Sequence, residues 1–420
     1  MTAIALVLRL ALIMFASDPR HPEMYEHGII AHNLYTGHGF AMHWPYESLD
    51  SQRAVIMKQP PQFEGAFLPP LNPYLVYGAY LIFGENSTAI IFLMLFYALV
   101  SSFIPLMVFK TGLLIGNEKS ARLSALIASL FLPSAFAVIT FSGSPLYQVL
   151  GILVLYFAIL SAQRPSLRSF VLLGLSCGVM AMLRSEFFFL GFILIVISFF
   201  FARKKMAGKA LSYVMISIVL CAGIIAPWTY RNYMLFHAFV PVLSHPWFEM
   251  WRGNNIYATG TTLDENGKSI WVTPEQYPAL IKRMDAIPYD RYFEARVDGV
   301  FKDEVLTFIE KNPARFLFLG MKKIALLFTI DFSHPSSRNP LYFGPMILVS
   351  ALTVIGVYRL IRQPDAGSAP VLAIYSVFLL AYLAMTVMTV MLPRYQIYVF
   401  ITVMPMAGLG GFRLRKGVVE

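Results

Sequence analysis

Apolar residues come in ten long runs, at about 2–17, 88–109, 121–140, 145–162, 169–183, 187–202, 210–229, 341–358, 371–392 and 395–412. A helix that crosses the hydrocarbon core needs roughly 20 mostly apolar residues, so the pattern predicts a bundle of ten spans. A further run at 316–330 carries Lys322 and Lys323 at its middle. It is read as a helix lying in the interface, with an eleventh span as the alternative. Only two connections are long, 18–87 and 231–340. The chain has no internal repeat and no inverted pair of Gly/Pro-broken spans, which counts against a transporter built from two halves.

Basic residues set the orientation. Lys110, Lys119 and Arg122, then Arg164 and Arg168, then Arg203, Lys204, Lys205 and Lys209, then Arg359 and Arg362, and finally Arg413, Arg415 and Lys416 all fall on one side if both termini are cytoplasmic. That places 18–87 and 231–340 on the outer side. The chain then divides into a first span (1–17), an outer loop with interfacial helices (18–87), a transmembrane bundle (88–230), an outer segment with an interfacial helix (231–340), C-terminal spans (341–412) and a cytoplasmic tail (413–420). Composition agrees: 57% of the 420 residues are hydrophobic and 13% charged, and the mean hydropathy is +0.63. The net charge of +10 is accounted for by these clusters at span ends, so no nucleic-acid partner is called for. Cys177 and Cys221 both sit inside apolar runs, which indicates neither a disulfide framework nor a thiol metal site. The first run lacks an A-x-A cleavage site and is interrupted by Arg9, so it is read as a retained span.

Candidate chemistry lies in the outer segments. In "YEHGIIAHNLYTGHGF", residues 25–40, a helix over 24–35 turning about 100° per residue puts Met24, Ile30, Ala31, Leu34 and Tyr35 on one arc and Glu26 with Asn33 on the other. The helix would lie on the membrane, its polar arc either facing water or doing chemistry. Gly37 and Gly39 suit a helix end followed by positive φ. His21, His27, His32, His38 and His43 crowd the region without an HExxH spacing, so no metal site is called.

Residues 62–84, with Pro69, Pro70 and Pro73 at the entry, predict a second interfacial helix. Glu64 before it is either a solvated charge or a second carboxylate facing Glu26. In "APWTYRNYMLFHAFVPV", Trp228 and Tyr230 lie at headgroup depth, and Arg231 either snorkels or binds a lipid phosphate. Arg184 in "LRSE" and Arg394 in "LPRYQIY" share that depth, and the three arginines could form one anion site.

The ordered series "YEHGIIAHNLYTGHGF", "GAFLPPLNPYL", "PWTYRNYMLFHAFVPV", "WRGNN" and "RYQIYVFITVMP" resembles the bacterial integral-membrane glycosyltransferases of family 39, relatives of the protein O-mannosyltransferases and of the lipid A aminoarabinose transferase. The resemblance implies an all-α GT-C bundle of about 10–11 spans with juxtamembrane helices in the first outer loop. It also implies a sugar donor on a polyprenyl phosphate, a lipid, glycan or protein acceptor, and an inner (plasma) membrane location with the active site on the outer face. It makes Glu26 the catalytic acid. Many relatives carry Asp where this chain has His21, so Asp18 and Glu23 are retained as alternatives. Within the matching pieces, Asn232, Asn254 and Tyr395 join Glu64, Arg184, Arg231 and Arg394 as substrate-binding candidates. Where relatives carry a second acid this chain has Gln148, which counts against a two-carboxylate or metal-bridged mechanism. No cofactor is expected, a divalent metal being the weaker alternative. Nothing signals a second nucleophile, so inversion is favoured. The competing class is a non-enzymatic polyprenyl-lipid or sugar-lipid carrier or flippase, and a third is a degenerate family member kept for assembly.

Overall fold

A computed structural model describes residues 1–206, 208–265, 267–330, 338–363 and 367–411. The predicted tail 413–420, with Arg413, Arg415 and Lys416, lies outside the described residues. Apolar runs dictate helices here because every backbone polar group must be paired within its own segment once water is excluded.

The chain runs through α1 (Thr2–Ala16), α2 (Tyr25–Tyr35), α3 (Ser51–Ile56), α4 (Leu71–Phe83), α5 (Ser87–Ser101) and α6 (Ile104–Ile115). It continues through α7 (Glu118–Leu130), α8 (Leu132–Phe136), α9 (Ser144–Gln163), α10 (Leu167–Ala181), α11 (Phe187–Ala202) and α12 (Ala210–Phe236). The outer segment then adds α13 (Pro246–Gly253), α14 (Pro278–Asp285), α15 (Phe293–Lys311) and α16 (Pro313–Phe328). The chain ends with α17 (Pro340–Arg362), α18 (Ser368–Met388) and α19 (Pro393–Gly411). Proline sits in the first turn of α9 and of α13 through α17, except α15, where its missing N–H costs nothing.

Among the described residues, six stretches are long and apolar enough to cross a membrane: Ser87–Ile115, which joins α5 and α6, Ser144–Gln163, Phe187–Lys205, Ala210–Phe236, Pro340–Arg362 and Ser368–Met388. Glu118–Leu130 with Leu132–Ile139, bent by 47°, would be a seventh, and Thr2–Ala16 and Leu167–Ala181 are shorter apolar helices. The tenth predicted run is occupied by α19. Close helix contacts use small residues: Gly174 of α10 abuts the Ser217 backbone of α12, and Gly356 of α17 abuts the Met406 carbonyl of α19, as expected where lipid offers no hydrophobic drive for association. Arg9 is 1% exposed. It is accommodated in the bundle because it donates to Ser101 Oγ (2.7 Å), Ala5 O (3.0 Å) and Ser134 Oγ (3.2 Å). Ser134 in turn donates to Gln148 Oε1, so Gln148 faces the bundle interior.

The two long connections, which the basic residues read as the outer ones, build one layer around an aromatic core. Trp44, from the first connection, packs edge-on against Phe67 (5.2 Å) and Phe248 (5.3 Å) and stacks on Phe301 (5.7 Å). Asp285, at the end of α14, accepts from Tyr46 Oη, Ser48 Oγ and the Leu49 and Asp50 amides at 2.7–3.1 Å. It therefore pins loop 46–50 to the outer segment. Asp285→Ala is expected to destabilise this layer by about 1–3 kcal/mol, read as faster proteolytic cleavage in the loop before α3 with the spans left intact.

Asp298 of α15 caps α13 by accepting from the Trp247 and Phe248 amides through Oδ1 at 3.0 and 3.1 Å. Burial, helped by nearby Glu294, pushes its carboxyl up to about 8 despite those two donors. The folded form thus holds a proton that the unfolded chain releases near pH 4. Stability from this group is full below that value and falls as pH rises toward about 8. Asp298→Asn, which keeps the accepting oxygen, is expected to flatten the fall in melting temperature between pH 5 and pH 8 that the wild type shows.

Three readings of the sequence change. Asn33 does not face water with the polar arc of α2: it is 5% exposed and its amide donates to Ala41 O at 2.7 Å. The arc holding Glu26, Ile30 and Asn33 turns inward, while Ile29 and Tyr35 are 49% and 42% exposed. Lys323 is buried although it sits in the helix read as interfacial, because Asn254 Oδ1 and Val387 O accept its ammonium at 3.0 and 2.8 Å.

Candidate functional site

Residues from five elements meet at the ends of the bundle that carry this layer: the start of α2, the start of α9, the turn between α10 and α11, helix α13 and the start of α19. Tyr25 opens α2 at φ +49°, a left-handed conformation that costs a bulky residue about 1–3 kcal/mol and is typical of functional sites. Next come Glu26, partly exposed, and His27. Burial pushes the His27 imidazole down to about 3, and the charges of Arg394 and Arg184 add to this, while a contact with the Ser142 backbone acts the other way. His27 is therefore neutral at physiological pH. Its Nδ1 is buried with no hydrogen-bond partner among the described residues.

Arg184 donates through Nε to Glu186 at 2.8 Å. Its guanidinium lies 5.0 Å from the Tyr395 ring, 5.3 Å from Tyr147 and 5.6 Å from Tyr398, so it is fixed by a carboxylate and three aromatic faces. Tyr398 Oη lies 2.8 Å from Ser144 Oγ, which lies 2.7 Å from Ser142 Oγ. Arg394, the second residue of α19, shares the field of Arg184 and Glu26 and approaches the Tyr395 ring at 5.9 Å. It has no carboxylate within ion-pair distance among the described residues, and its Nε is buried without a hydrogen-bond partner. Tyr395 itself is 6% exposed.

The third arginine is engaged elsewhere. Arg231 donates to Glu64 Oε2 (2.7 Å), Gly65 O (2.5 Å) and Asn232 Oδ1 (3.1 Å) and stacks on Trp228 at 4.7 Å. Glu64 is thus the partner of Arg231, and it fills the space beside Gly39 that a Cβ would need. Asn232 is fully buried and donates to Val240 O at 3.0 Å. Asn254, also fully buried, donates to Met250 O and Met388 O and accepts from Lys323. These residues tie that layer to the spans, and both amide hydrogens of Asn254 are spent on backbone carbonyls. The alternative acids lie apart: Asp18 pairs with His21 at 2.9 Å on the surface, and Glu23 accepts from Tyr25 Oη at 2.8 Å.

A further carboxylate went unnoticed in the sequence. Glu249 of α13 is approached by Arg252 Nη1 at 3.4 and 3.5 Å. Burial alone would raise its pKa, but Arg252, His245, Arg394 and Arg184 outweigh that and hold it below the usual carboxylate range. His245, stacked on Phe67 at 3.9 Å, is pushed down to about 4 by burial. The available signal was an acid and an arginine three residues apart inside the aromatic run "PWFEMWRGNN". Among the described residues no group of three or more His, Cys, Asp or Glu is arranged to hold a metal ion.

Residues 68–230 match the family model described as dolichyl-phosphate-mannose-protein mannosyltransferase. No curated protein matches the sequence. Among solved structures the chain is similar to the archaeal oligosaccharyltransferase AglB from Archaeoglobus fulgidus in complex with an inhibitory peptide and a dolichol-phosphate, with a TM-score of 0.54 at 13% identity over 97% of this chain and 49% of that one. The Archaeoglobus fulgidus oligosaccharyltransferase in complex with Zn and sulfate gives a TM-score of 0.53 at 15% identity over 97% and 48% of the two chains. ArnT from Cupriavidus metallidurans in the apo state gives 0.40 at 12% identity over 97% and 76%. The chain spans about half the length of the archaeal structures it matches, and at these identities the likeness is one of fold.

Proposed function

From the premise that this is a multi-pass membrane protein of the GT-C fold whose residues 68–230 match the dolichyl-phosphate-mannose-protein mannosyltransferase model, we propose that it is a glycosyltransferase. It moves a sugar from a polyprenyl-phosphate donor to a lipid, glycan or protein acceptor, with inversion. The observation that carries this reading is the convergence of a carboxylate, Glu26, with two arginines, Arg394 and Arg184, the first of them without a carboxylate partner of its own among the described residues. The dolichol-phosphate named with the archaeal oligosaccharyltransferase supports the donor class.

In this mechanism the Glu26 carboxylate takes the proton of the acceptor hydroxyl. The acceptor oxygen forms a bond to the anomeric carbon as the bond from that carbon to the phosphate oxygen breaks, and the electron pair leaves on the phosphate. The donor is a phosphodiester with one negative charge and the leaving phosphate gains another, so cations aimed at it stabilise the transition state more than the ground state. Arg394 is free to meet that charge, while Arg184 is held in place by Glu186 and the tyrosine rings. One displacement with no covalent intermediate inverts the anomeric centre. Neutral His27 adds no charge to the site. Proposed here too are an inner-membrane location, cytoplasmic termini and a site on the outer face, supported by the basic clusters at the opposite ends of the spans.

Reconstitution in liposomes with a radiolabelled polyprenyl-phosphate sugar tests the reading. A new glycosidic product, identified by mass spectrometry, is expected. Movement of intact donor between leaflets without a product would instead indicate a carrier.

A further inference from the structure

We infer that Glu249 is a specificity-determining residue that accepts hydrogen bonds from hydroxyl groups of the donor sugar, leaving proton transfer to Glu26. The inference rests on the donor class proposed above and deepens it.

Glu249 belongs to α13, whose first amides are capped by Asp298 of α15 and whose last residue, Gly253, packs on the Thr389 carbonyl at the end of α18, so its backbone is held at both ends. Gly253, one turn beyond Glu249 on the same face of α13, packs against Thr389 and Val390, which lead into Arg394, so the Glu249 side of α13 faces the start of α19, and the carboxylate lies in the field of Arg394 and Arg184, the groups proposed to meet the phosphate. The sugar is joined directly to that phosphate, so a side chain bordering the phosphate site from the outer layer borders the sugar. The side chain keeps 33% of its surface exposed, and the Arg252 guanidinium approaches both oxygens only at the limit of hydrogen bonding, 3.4 and 3.5 Å. Most of the acceptor capacity of the two oxygens is therefore unspent. A carboxylate with spare lone pairs suits vicinal hydroxyls, because hydrogen bonds to a charged acceptor are stronger than those to a neutral one.

The same surroundings make Glu249 a poor base. Arg252, itself held over the Trp271 ring at 5.0 Å, favours the ionised form, which lowers proton affinity.

Equilibrium binding of undecaprenyl phosphate, bare or carrying glucose, mannose, galactose or arabinose, to the full-length protein in detergent tests this. For the wild type, at least one sugar is expected to raise affinity about tenfold or more over the bare lipid. In Glu249→Ala that increment should disappear while bare-lipid affinity stays unchanged. If the alanine variant does not fold, the isosteric Glu249→Gln carries the test, and the increment should shrink. The inference is overturned if no sugar adds affinity in the wild type, if the increment survives in the variants, or if they weaken the bare lipid as much as the sugar-bearing one. Failure of the wild type to bind bare undecaprenyl phosphate overturns the donor class itself, and this inference with it.

Discussion

Glu26→Gln is expected to lower kcat for sugar transfer by about 10²–10⁴-fold, with donor binding and melting temperature near those of the wild type. The amide keeps the shape and an accepting oxygen but cannot take the acceptor's proton. Conservation of fold is anticipated because, among the described residues, Glu26 makes no hydrogen bond that anchors α2. That anchoring falls to Asn33, through Ala41 O, and to the buried Ile30 and Ala31. Asp18→Asn and Glu23→Gln serve as controls. Both residues are occupied locally, by His21 and by the Tyr25 hydroxyl, and both variants should transfer sugar at wild-type rates. A fully active Glu26→Gln, or a collapse of activity in either control alone, would move the base elsewhere.

The second large effect concerns the arginines. Arg394→Ala is expected to reduce kcat by about 10²–10³-fold, and Arg394→Lys to recover part of the loss, since a point charge is restored but the planar fork is not. Arg231→Ala should behave differently. Its guanidinium is spent on Glu64 and Gly65, so the main result is a lower melting temperature, with kcat in the surviving folded protein affected far less. Steady-state kinetics and thermal melts of the two variants side by side check this. Equal losses of kcat in both would show that Arg231 also serves the phosphate.

These two experiments separate groups that look alike in the sequence. Arg184, Arg231 and Arg394 all sit at span ends beside aromatic residues, and the sequence reading puts Arg231 first, ahead of Arg394 and Arg184. What distinguishes them is the counter-charge each meets: Glu186 for Arg184, Glu64 for Arg231, and no ion-pair partner among the described residues for Arg394. None of those pairings follows from spacing, apart from the short step between Arg184 and Glu186.

The sequence by itself determined the helical runs and the fold class, because a stretch of apolar residues long enough to cross hydrocarbon must satisfy its backbone internally and so specifies its own conformation. It also determined that residues 25–35 form a helix ending near Gly37, through periodicity and glycine placement. The tertiary structure alone decided which arc of that helix turns inward, that Lys323 is buried against Asn254, that Arg231 is committed to Glu64, and that Glu249 lies in the field of Arg184 and Arg394. Each of these depends on a partner contributed by a distant segment. The free energy of a buried charge or amide is set by that partner, and local periodicity carries no information about it.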